Sequence, residues 1–436
     1  MKYDEVFCDI NKPFDLKNAQ VEANRCYYCY DAPCIEACPT AIDIPSFIRK
    51  ISNENIRGAA MDILSANIMG GTCARACPVE TLCQQACVRE KSEKQPVAIG
   101  LLQRFATDQF FKTGEQPFKQ GPLNGKKIAV VGAGPAGLSC AHKLATLGYQ
   151  ITIFEAREKP GGLNEYGLAP YKMTDGFAQK EVDFILGVGG IEVRNNSILG
   201  KNISLSELQK NFAAVFIGLG LGGVNALNVP GEELSGVLDA AKYIEKIRQS
   251  RSFSDLAVGR HIVVIGGGNT AVDIAIQMKK LGAEFVTIAY RRGFAQMGAT
   301  HHEQELAQTN GVLIQTWVQP VQINGQAGKA QEIKLEYTQL NPDGKLSGNG
   351  QFLTLKADQI FKAIGQTLEK ESSLSLGVKI SDGKIQVNQD LETSVPGIFA
   401  GGDCIALGED LTVTSVQQGK LAALAIHKKL GGKSNG

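Results

Sequence analysis

Histidine is scarce in this chain and is entirely lacking from its first third. The 436 residues contain five histidines, and none of them lies in residues 1–141. Zinc sites that combine cysteine with histidine are therefore excluded from that segment.

Long apolar segments and excess charge are lacking as well. No run of about eighteen apolar residues is present, so we expect no transmembrane helix. The N-terminal sequence MKYDEVFCDINKPFDL has no apolar core of the kind found in signal peptides. Lys+Arg 45 against Asp+Glu 44 gives a formal net charge of +1, which argues against binding nucleic acid or a membrane surface through bulk charge. We therefore expect a cytoplasmic protein that binds neither.

Cysteine, by contrast, is abundant and unevenly distributed. Eight of the eleven cysteines lie in two segments, CYYCYDAPCIEACP at 26–39 and CARACPVETLCQQAC at 73–87. Thiols of cytoplasmic proteins are kept reduced, so this number does not indicate a disulfide framework. Clustered cysteines in that compartment more often bind metal.

The spacing of these cysteines favours iron–sulfur clusters over zinc. The first segment reads C-x2-C-x4-C-x3-C-P and the second C-x3-C-P-x4-C-x3-C. Three or four thiols in one short loop suit a cubane cluster, whereas zinc ribbons pair distant two-cysteine knuckles. The Cys-Pro endings also resemble ferredoxin sequences. Two 4Fe-4S clusters are the simplest count, and four-thiolate zinc sites are the alternative.

A change of sequence pattern near residue 123 predicts the domain organisation. The cysteine-rich part has helical apolar spacing and ends in a segment rich in glycine and proline, GEQPFKQGPLNG. After it, KKIAVVGAGPAGLSCAHKLATLGYQITIFEA reads as strand, glycine turn, helix and strand, and RHIVVIGGGNTAVDIAIQMKKLGAEFVTIAYRR repeats that layout. We predict a helical domain over 1–122, an α/β domain over 123–222 plus 368–436, and a second α/β domain over 223–367 inserted into it.

The first glycine-rich turn has the features of an FAD-binding Rossmann-like fold. Gly132-x-Gly134-x-x-Gly137 follows a strand and opens a helix, where the pyrophosphate is expected. Glu155 ends the next strand and would accept hydrogen bonds from a ribose diol. Two dinucleotide folds followed by VPGIFAGGDC resemble the layout of two-dinucleotide flavoproteins, which implies that Asp403 reaches the flavin ribitol. The helix starting near Thr412 could point its N-terminus at the flavin ring. The predicted FAD residues are Gly132, Gly134, Pro135, Gly137, Glu155, Gly162, Leu163, Gly402, Asp403 and Thr412.

The second glycine-rich turn predicts a nicotinamide nucleotide site. Gly266-x-Gly268-x-x-Ala271 again lies between a strand and a helix. Its second strand ends at Arg291 and Arg292 without an acidic residue, which suits the 2′-phosphate of NADP better than a bare diol. The predicted NAD(P) residues are Gly266, Gly268, Asn269, Thr270, Arg291, Arg292, Ala363 and Gly365.

Catalytic side chains are not predicted for this chain. Disulfide reductases on such a scaffold need a cysteine pair beside the flavin, and GGLNEYGLAP at 161–170 contains none. The pair His301-His302 is interpreted as part of a helix surface, with an acid–base role as the weaker alternative. The cofactors would carry the chemistry, while the protein sets distances and potentials.

Taken in order, these parts resemble the electron-input half of dihydropyrimidine dehydrogenase, which bacteria encode as a separate subunit. NRCYYCYDAPC, IGLLQRFATD, GAGPAGLSCA and TVTSVQQGKLAALAIHKKL carry the resemblance, which extends over nearly the whole chain. A less close resemblance is to the small subunit of glutamate synthase. The resemblance implies one cluster on Cys26, Cys29, Cys34 and Cys87. It implies a second cluster on Cys38, Cys77, Cys83 and Gln103, leaving Cys73 without a ligand role.

The resemblance also implies a function. A nicotinamide would reduce FAD, and the two clusters would pass electrons to a partner subunit whose FMN reduces uracil or thymine. The alternatives are a glutamate synthase small subunit, a general ferredoxin:NAD(P) electron-transfer subunit, and a metal-binding interaction module with a relic nucleotide fold. The third basic residue of NADP-using relatives falls near Gly298, so the nucleotide is left as NAD(P).

Overall fold

The computed structural model describes residues 3–250, 252, 255–369 and 375–432. These residues form two compact units. The large unit comprises Asp9–Glu165, Lys172–Gly222 and Thr367–Gly436. The small unit comprises Tyr166–Tyr171 and Gly223–Gln366, together with the described residues up to Cys8.

The N-terminal part of the large unit is helical, as the apolar spacing predicts. Asp15, Asp43 and Asn55 each accept a backbone hydrogen bond at the start of a helix, which satisfies an otherwise unpaired N–H. Phe47 and Phe105 are buried in the helical core. The helices before residue 112 are α1 Tyr3–Val6, α2 Leu16–Ala23, α3 Pro33–Glu36, α4 Ile44–Ser52, α5 Ile56–Ala66, α6 Gly70–Ala76, α7 Val88–Glu93 and α8 Ile99–Phe111.

The rest of the large unit is built on a parallel five-stranded sheet. Its strands are β1 Lys127–Val131, β2 Gln150–Phe154, β3 Ile191–Arg194, β4 Ala214–Ile217 and β17 Ile398–Ala400, in the order β17-β4-β1-β2-β3. Its helices are α9 Pro135–Thr146, α10 Leu163–Tyr166, α11 Phe177–Leu186, α12 Leu205–Asn211 and α16 Thr412–Lys429. Apolar residues fill four of the five positions of β1, as expected for a parallel strand covered on both faces.

The small unit repeats this architecture and adds an antiparallel sheet. The parallel sheet has the order β6-β13-β7-β8-β9, and the antiparallel one has the order β10-β11-β12. The strands between residues 223 and 367 are β5 Gly223–Val224, β6 Val237–Asp239, β7 His261–Ile265, β8 Phe285–Tyr290, β9 Leu313–Thr316, β10 Val318–Gln326, β11 Lys329–Leu340, β12 Leu346–Lys356, β13 Gln359–Lys362 and β14 Gln366–Thr367. The short strands β15 Ile380–Ser381 and β16 Lys384–Ile385 belong to the large unit. The remaining helices are α13 Ala240–Gln249, α14 Asn269–Lys280 and α15 His301–Thr309.

The two compact units do not separate the predicted helical and FAD-binding domains, and they also group two short segments differently from the prediction. Residues 166–171 were predicted within the FAD-binding domain, yet they group with the nicotinamide fold. The Tyr171 hydroxyl donates to Asp273 Oδ1 at 2.9 Å, and Arg248 Nη1 donates to the carbonyl oxygen of Leu168 at 3.0 Å, which fixes the segment there. The described residues before Asp9, predicted within the helical domain, group in the same way. Segments this short carry no periodic signal that could have assigned them to a domain.

Among the described residues, every helix is too short or too polar to cross a bilayer. The predicted fold class, a helical domain followed by two Rossmann-like folds, is confirmed by the two parallel sheets and the helices before them.

Candidate functional site

The clustered cysteines line two separate cavities in the large unit. The first cavity contains Cys26, Cys29, Cys34 and Cys87 among largely apolar side chains from α4 and from the segment that leads into α8. Burial raises the pKa of Cys34 to about 12 and also raises that of Cys26. The thiols must lose their protons to bind metal, so loading of this cavity is expected to depend on pH.

The second cavity is lined by residues of α6 and α8, by the segments next to them and by the start of α16. Its polar lining consists of Cys38, Asn67, Cys73, Cys77, Cys83 and Gln103. Burial raises the pKa of Cys83 to about 12, with the neighbouring Cys38 contributing in the same direction. A hydrogen bond with Cys73, followed by burial, raises the pKa of Cys77. The structure therefore brings together all four residues assigned to the second cluster, and it places Cys73 beside them.

The amide of Gln103 is oriented by the backbone. Its Nε2 donates to the carbonyl oxygen of Gly70 at 2.7 Å, and the residue is only 7% exposed. Because Nε2 is held by a carbonyl oxygen, the atom left for a metal is Oε1, which is the atom that an amide ligand must offer. Cys73 is 2% exposed, lies on α6 one helical turn before Cys77, and lines the same cavity.

The separation of the thiol side chains argues against a single-ion site in either cavity. Within the described parts of the chain, no three Cys, His, Asp or Glu side chains approach closely enough to share one ion. A tetrahedral zinc site needs four ligands at about 2.0–2.3 Å from one metal. The thiols that line the two cavities do not meet this requirement.

The first glycine-rich turn brings backbone close to backbone. Gly132 has φ +99°, and a Cβ atom there would lie 2.3 Å from the carbonyl oxygen of Gly218. At Gly137 a Cβ would lie 1.9 Å from the carbonyl oxygen of Gly132, and at Gly162 it would lie 2.6 Å from the Cα of Gly134. Each predicted glycine except Gly134 is therefore required by a close approach or a positive φ, and the turn presents bare backbone at the end of β1.

Helix α9 starts at this turn without a capping side chain. Gly134 is its N-cap and Pro135 its first residue, so no side chain of the cap occupies the free N–H groups. Those groups are available to a phosphate. Leu163, the first residue of the short helix α10, is 39% exposed and follows Gly162 in the facing loop.

Glu155 is buried at the end of β2. Its carboxylate accepts hydrogen bonds from Ala133 N at 2.7 Å and from Arg157 N at 2.9 Å. Burial raises its pKa, and these two backbone N–H groups oppose that rise. The carboxylate is thereby fixed against the glycine turn, where a ribose diol bound at this sheet edge would reach it.

The segment with Gly402 and Asp403, the third that is predicted to bind FAD, connects β17 to α16. Gly402 has φ +82°, and its N–H donates to Gln418 Oε1 at 2.7 Å, which ties the turn to α16. Asp403 accepts from the Ser415 hydroxyl at 3.1 Å, and burial raises its pKa. Helix α16 begins at Thr412 without a side-chain cap, so its first N–H groups are also free.

The start of α16 connects the predicted flavin and cluster sites. Val413 is 2% exposed and lines the second thiol cavity. The neighbouring Thr412 donates through its hydroxyl to Asn164 Oδ1 at 3.3 Å, and Asn164 Nδ2 contacts Met69 Sδ at 3.7 Å. The helix predicted to face the flavin therefore also forms one wall of the second cavity.

The second glycine-rich turn has the same construction in the small unit. Gly266 has φ +142°, and a Cβ there would lie 2.1 Å from the carbonyl oxygen of Ala363. Gly268 has open space around its Cα and is the N-cap of α14, whose first residues are Asn269 and Thr270. Ala363 lies just after β13, next to β7, which explains its position at the turn. Gly365 has φ +95°, and its carbonyl oxygen accepts from Asn225 N at 3.3 Å.

The basic residues at the end of β8 are exposed to solvent. Arg291 and Arg292 both have exposed side chains, and their carbonyl oxygens accept from Thr338 Oγ1 and Trp317 N. Gly298 lies opposite Gly268, where a Cβ would be 3.7 Å from the Cα of Gly268. The structure brings the two arginines to the edge at which the strands β7 and β8 end.

Three features of the site were not predicted from the sequence. These are the position of Asn67 in the second cavity, the role of Val413 as its wall, and the contact of Glu181 with Thr72 of α6. Burial raises the pKa of Glu181 to about 7. None has a local sequence signal, because each depends on residues far apart in the chain.

Two family models match the chain. One, described as pyridine nucleotide-disulphide oxidoreductase, matches residues 111–419. The other, described as dihydropyrimidine dehydrogenase domain II, 4Fe-4S cluster, matches residues 3–115. Together they cover the helical part and both Rossmann-like folds.

Individual relatives match over nearly the full length. The NAD-dependent dihydropyrimidine dehydrogenase subunit PreT of Salmonella typhimurium is 35% identical, with 94% of each chain covered. The glutamate synthase [NADPH] small chain of Escherichia coli is 31% identical over 96% of this chain and 92% of that one. Among solved structures, Mycobacterium tuberculosis FprA in complex with NADPH matches with a TM-score of 0.60 at 21% identity, over 71% of this chain and 85% of that one, which shows a shared fold.

Proposed function

Because the chain belongs to the pyridine nucleotide-disulphide oxidoreductase family, in the branch of the dihydropyrimidine dehydrogenase subunit PreT, we propose that it is the electron-input subunit of a dihydropyrimidine dehydrogenase. It is an NAD(P)-dependent oxidoreductase with a 4Fe-4S domain. The proposal adds FAD, two clusters, and a partner subunit in which FMN reduces uracil or thymine.

The observation that carries this proposal is the double role of α16. Its first residues follow the turn that contains Asp403, and its Val413 lines the second thiol cavity. Flavin and cluster sites that share a helix within one compact unit suit electron transfer between them. A metal-binding interaction module with a relic nucleotide fold would have no need of that arrangement.

The residues of the chain would bind, orient and shield the cofactors. When bound, FAD and the clusters supply hydride acceptance and single-electron transfer. The turn Gly132–Gly137 would hold the pyrophosphate, Glu155 the ribose and Asp403 the ribitol. The turn at Gly266 and Gly268 would hold the nicotinamide nucleotide. Cys26, Cys29, Cys34 and Cys87 would ligate one cluster, and Cys38, Cys77, Cys83 and Gln103 the other.

The glutamate synthase alternative has its own support, since a small chain of that enzyme is 31% identical over 96% of this chain. The test is to purify the holoprotein with a candidate FMN subunit from the same genome and to follow NADH and NADPH oxidation. We expect oxidation that depends on uracil or thymine. Oxidation that instead requires a glutamate synthase large chain, 2-oxoglutarate and glutamine would overturn the pyrimidine assignment.

The proposed ligand set of the second cavity is tested by Gln103→Ala against Cys73→Ser. We expect Gln103→Ala to lose or alter one cluster, because the substitution removes the proposed Oε1 ligand. Cys73→Ser should keep its iron, because the side chain is a neighbour and not a ligand. Iron content and EPR of both anaerobically prepared proteins measure this. Loss of a cluster in Cys73→Ser alone would show that the proposed ligand set is wrong.

A further inference from the structure

The second cavity contains a buried amide nitrogen that the protein leaves without a partner. Asn67 is 0% exposed and lines this cavity, directly after the end of α5. Within the described residues its Nδ2 has no hydrogen-bond partner. Buried amide N–H groups are costly to leave unpaired, so such an atom needs a partner that the protein itself does not supply.

The orientation of this amide is fixed by the backbone. Asn67 Oδ1 accepts from Met69 N at 3.0 Å, and a backbone N–H can only donate. The oxygen and nitrogen of the side chain are therefore not interchangeable, and Nδ2 is the atom left to an occupant of the cavity.

Two hydrogen bonds hold the backbone at Asn67 in place. Its backbone N–H donates to the carbonyl oxygen of Ile63 at 2.8 Å, and Lys420 Nζ donates to the carbonyl oxygen of Ala66 at 2.7 Å. The amide is thus positioned before any occupant binds, which a preorganised donor requires.

We propose that Asn67 Nδ2 donates a hydrogen bond to a sulfur atom of the cluster in the second cavity and raises the reduction potential of that cluster. The inference rests on the proposed function only for the presence of a cluster there. Hydrogen bonds to cluster sulfurs stabilise the more negative, reduced state, and they are an established determinant of cluster potential. Asn67 acts as a tuning residue, because the cluster would accept electrons without it.

The two cavities differ in the buried amide that Asn67 provides. Asn67 is absent from the lining of the first cavity, where the polar side chains beside the thiols are Tyr27 and Arg89. Arg89 is already engaged, since its Nη1 donates to both carboxylate oxygens of Glu93 at 2.6 Å. A change at Asn67 should therefore act on one cluster and leave the other unaffected.

The test is an EPR-monitored redox titration of the anaerobically reconstituted full chain, without partner or nucleotide. Asn67→Ala removes the donor, and Asn67→Asp keeps the acceptor for Met69 N while removing the donor. Thr107→Val is the control for packing, because Thr107 is fully buried on α8 and its hydroxyl donates, within the described part of the chain, to carbonyl oxygens of its own helix.

We expect both Asn67 variants to shift one of the two cluster transitions to a more negative potential, with Asp shifting it further because of its charge. At a fixed potential the ratio of reduced to oxidised cluster should fall about tenfold, equivalent to about 59 mV for a one-electron couple. Thr107→Val should leave both transitions in place. An unchanged potential in both variants, equal shifts of both clusters, or an equal shift in Thr107→Val would overturn the inference.

If Asn67→Ala loses the second cluster, the potential measured in Asn67→Asp decides the question, because its carboxylate still accepts the hydrogen bond from Met69 N. A wild-type protein that assembles only one cluster would overturn the two-cluster proposal together with this inference. Two clusters with unshifted potentials would overturn this inference alone.

Discussion

The two glycine-rich turns have the same backbone design, but the strands that follow them end at residues of opposite charge. Each follows the central strand of a five-stranded parallel sheet, and each opens a helix that lacks a capping side chain. In the large unit the second strand ends in Glu155, which is buried and held by two backbone N–H groups. In the small unit it ends in Arg291 and Arg292, whose side chains are exposed. A site built into buried surroundings suits a resident FAD, and an exposed one suits a nucleotide that must exchange.

The largest expected effect comes from closing the first turn. Gly137→Ala places a Cβ 1.9 Å from the carbonyl oxygen of Gly132, so strand and helix must separate. We expect the purified protein to lose its FAD and about 1–3 kcal/mol or more of stability. Flavin absorbance and thermal unfolding measure both.

The equivalent position in the second turn provides the control. Ala271 already carries a Cβ and is fully buried, so Ala271→Gly should cost only about 0.5–1 kcal/mol and keep the flavin. Equal flavin loss in both variants would mean that the two turns do not bind different nucleotides.

The next effect concerns the buried carboxylate. Glu155→Gln keeps an acceptor for Ala133 N but removes the charge, and we expect FAD affinity to fall about tenfold. Burial raises the pKa of Glu155, so the ionised acceptor is lost as pH falls through that raised value. FAD affinity of the wild type should therefore decrease toward acidic pH, and that of Glu155→Gln should change less. A flat profile in the wild type would argue against a ribose contact.

A smaller effect is expected from the exposed arginines. The double variant Arg291→Ala, Arg292→Ala removes two cations that would face the 2′-phosphate, so the KM for NADPH should rise and the KM for NADH should stay nearly unchanged. Because solvent screens exposed charges, we expect the rise to be limited to about tenfold. Steady-state diaphorase assays with both nucleotides decide this. Equal losses with NADH and NADPH would show that the pair does not bind the 2′-phosphate.

The smallest effect is a gain. Gly298 is exposed, and a Cβ there would lie 3.7 Å from its nearest neighbour, so a side chain fits without displacement. Gly298→Arg adds a third cation near the second turn, and we expect the KM for NADPH to fall about threefold. The diaphorase assay measures this, with Gly298→Gln as the uncharged control. No preference for Arg over Gln would place the 2′-phosphate elsewhere.

Local patterns predicted most of the fold. Strand, glycine turn and helix are adjacent in sequence, so the elements around Gly132 and Gly266 could be predicted without knowing the tertiary structure. The grouping of Cys38 with Cys77 and Cys83 depends on helices folding across about forty residues, and it was predicted only through the resemblance. Gln103 has no metal-binding signal of its own, and it was assigned only through resemblance.

The small features of the site depended on packing. Asn67 follows α5 as an ordinary C-terminal residue, and only the structure places it in the second cavity. Residues 166–171 belong with the small unit because of side-chain bonds from Tyr171 and Arg248, which leave no periodic pattern. Sequence patterns carry little information about contacts between segments that are distant in the sequence.

The central claim is that electrons from the nicotinamide site reach the thiol cavities through the flavin site. The most direct measurement is anaerobic, rapid mixing of the holoprotein with NADH or NADPH, followed by flavin absorbance and by EPR of the clusters. We predict that flavin reduction precedes cluster reduction, and that protein depleted of FAD but retaining its clusters shows no cluster reduction. Cluster reduction by nucleotide in the FAD-free protein, or a reduced flavin beside clusters that stay oxidised, would contradict the account.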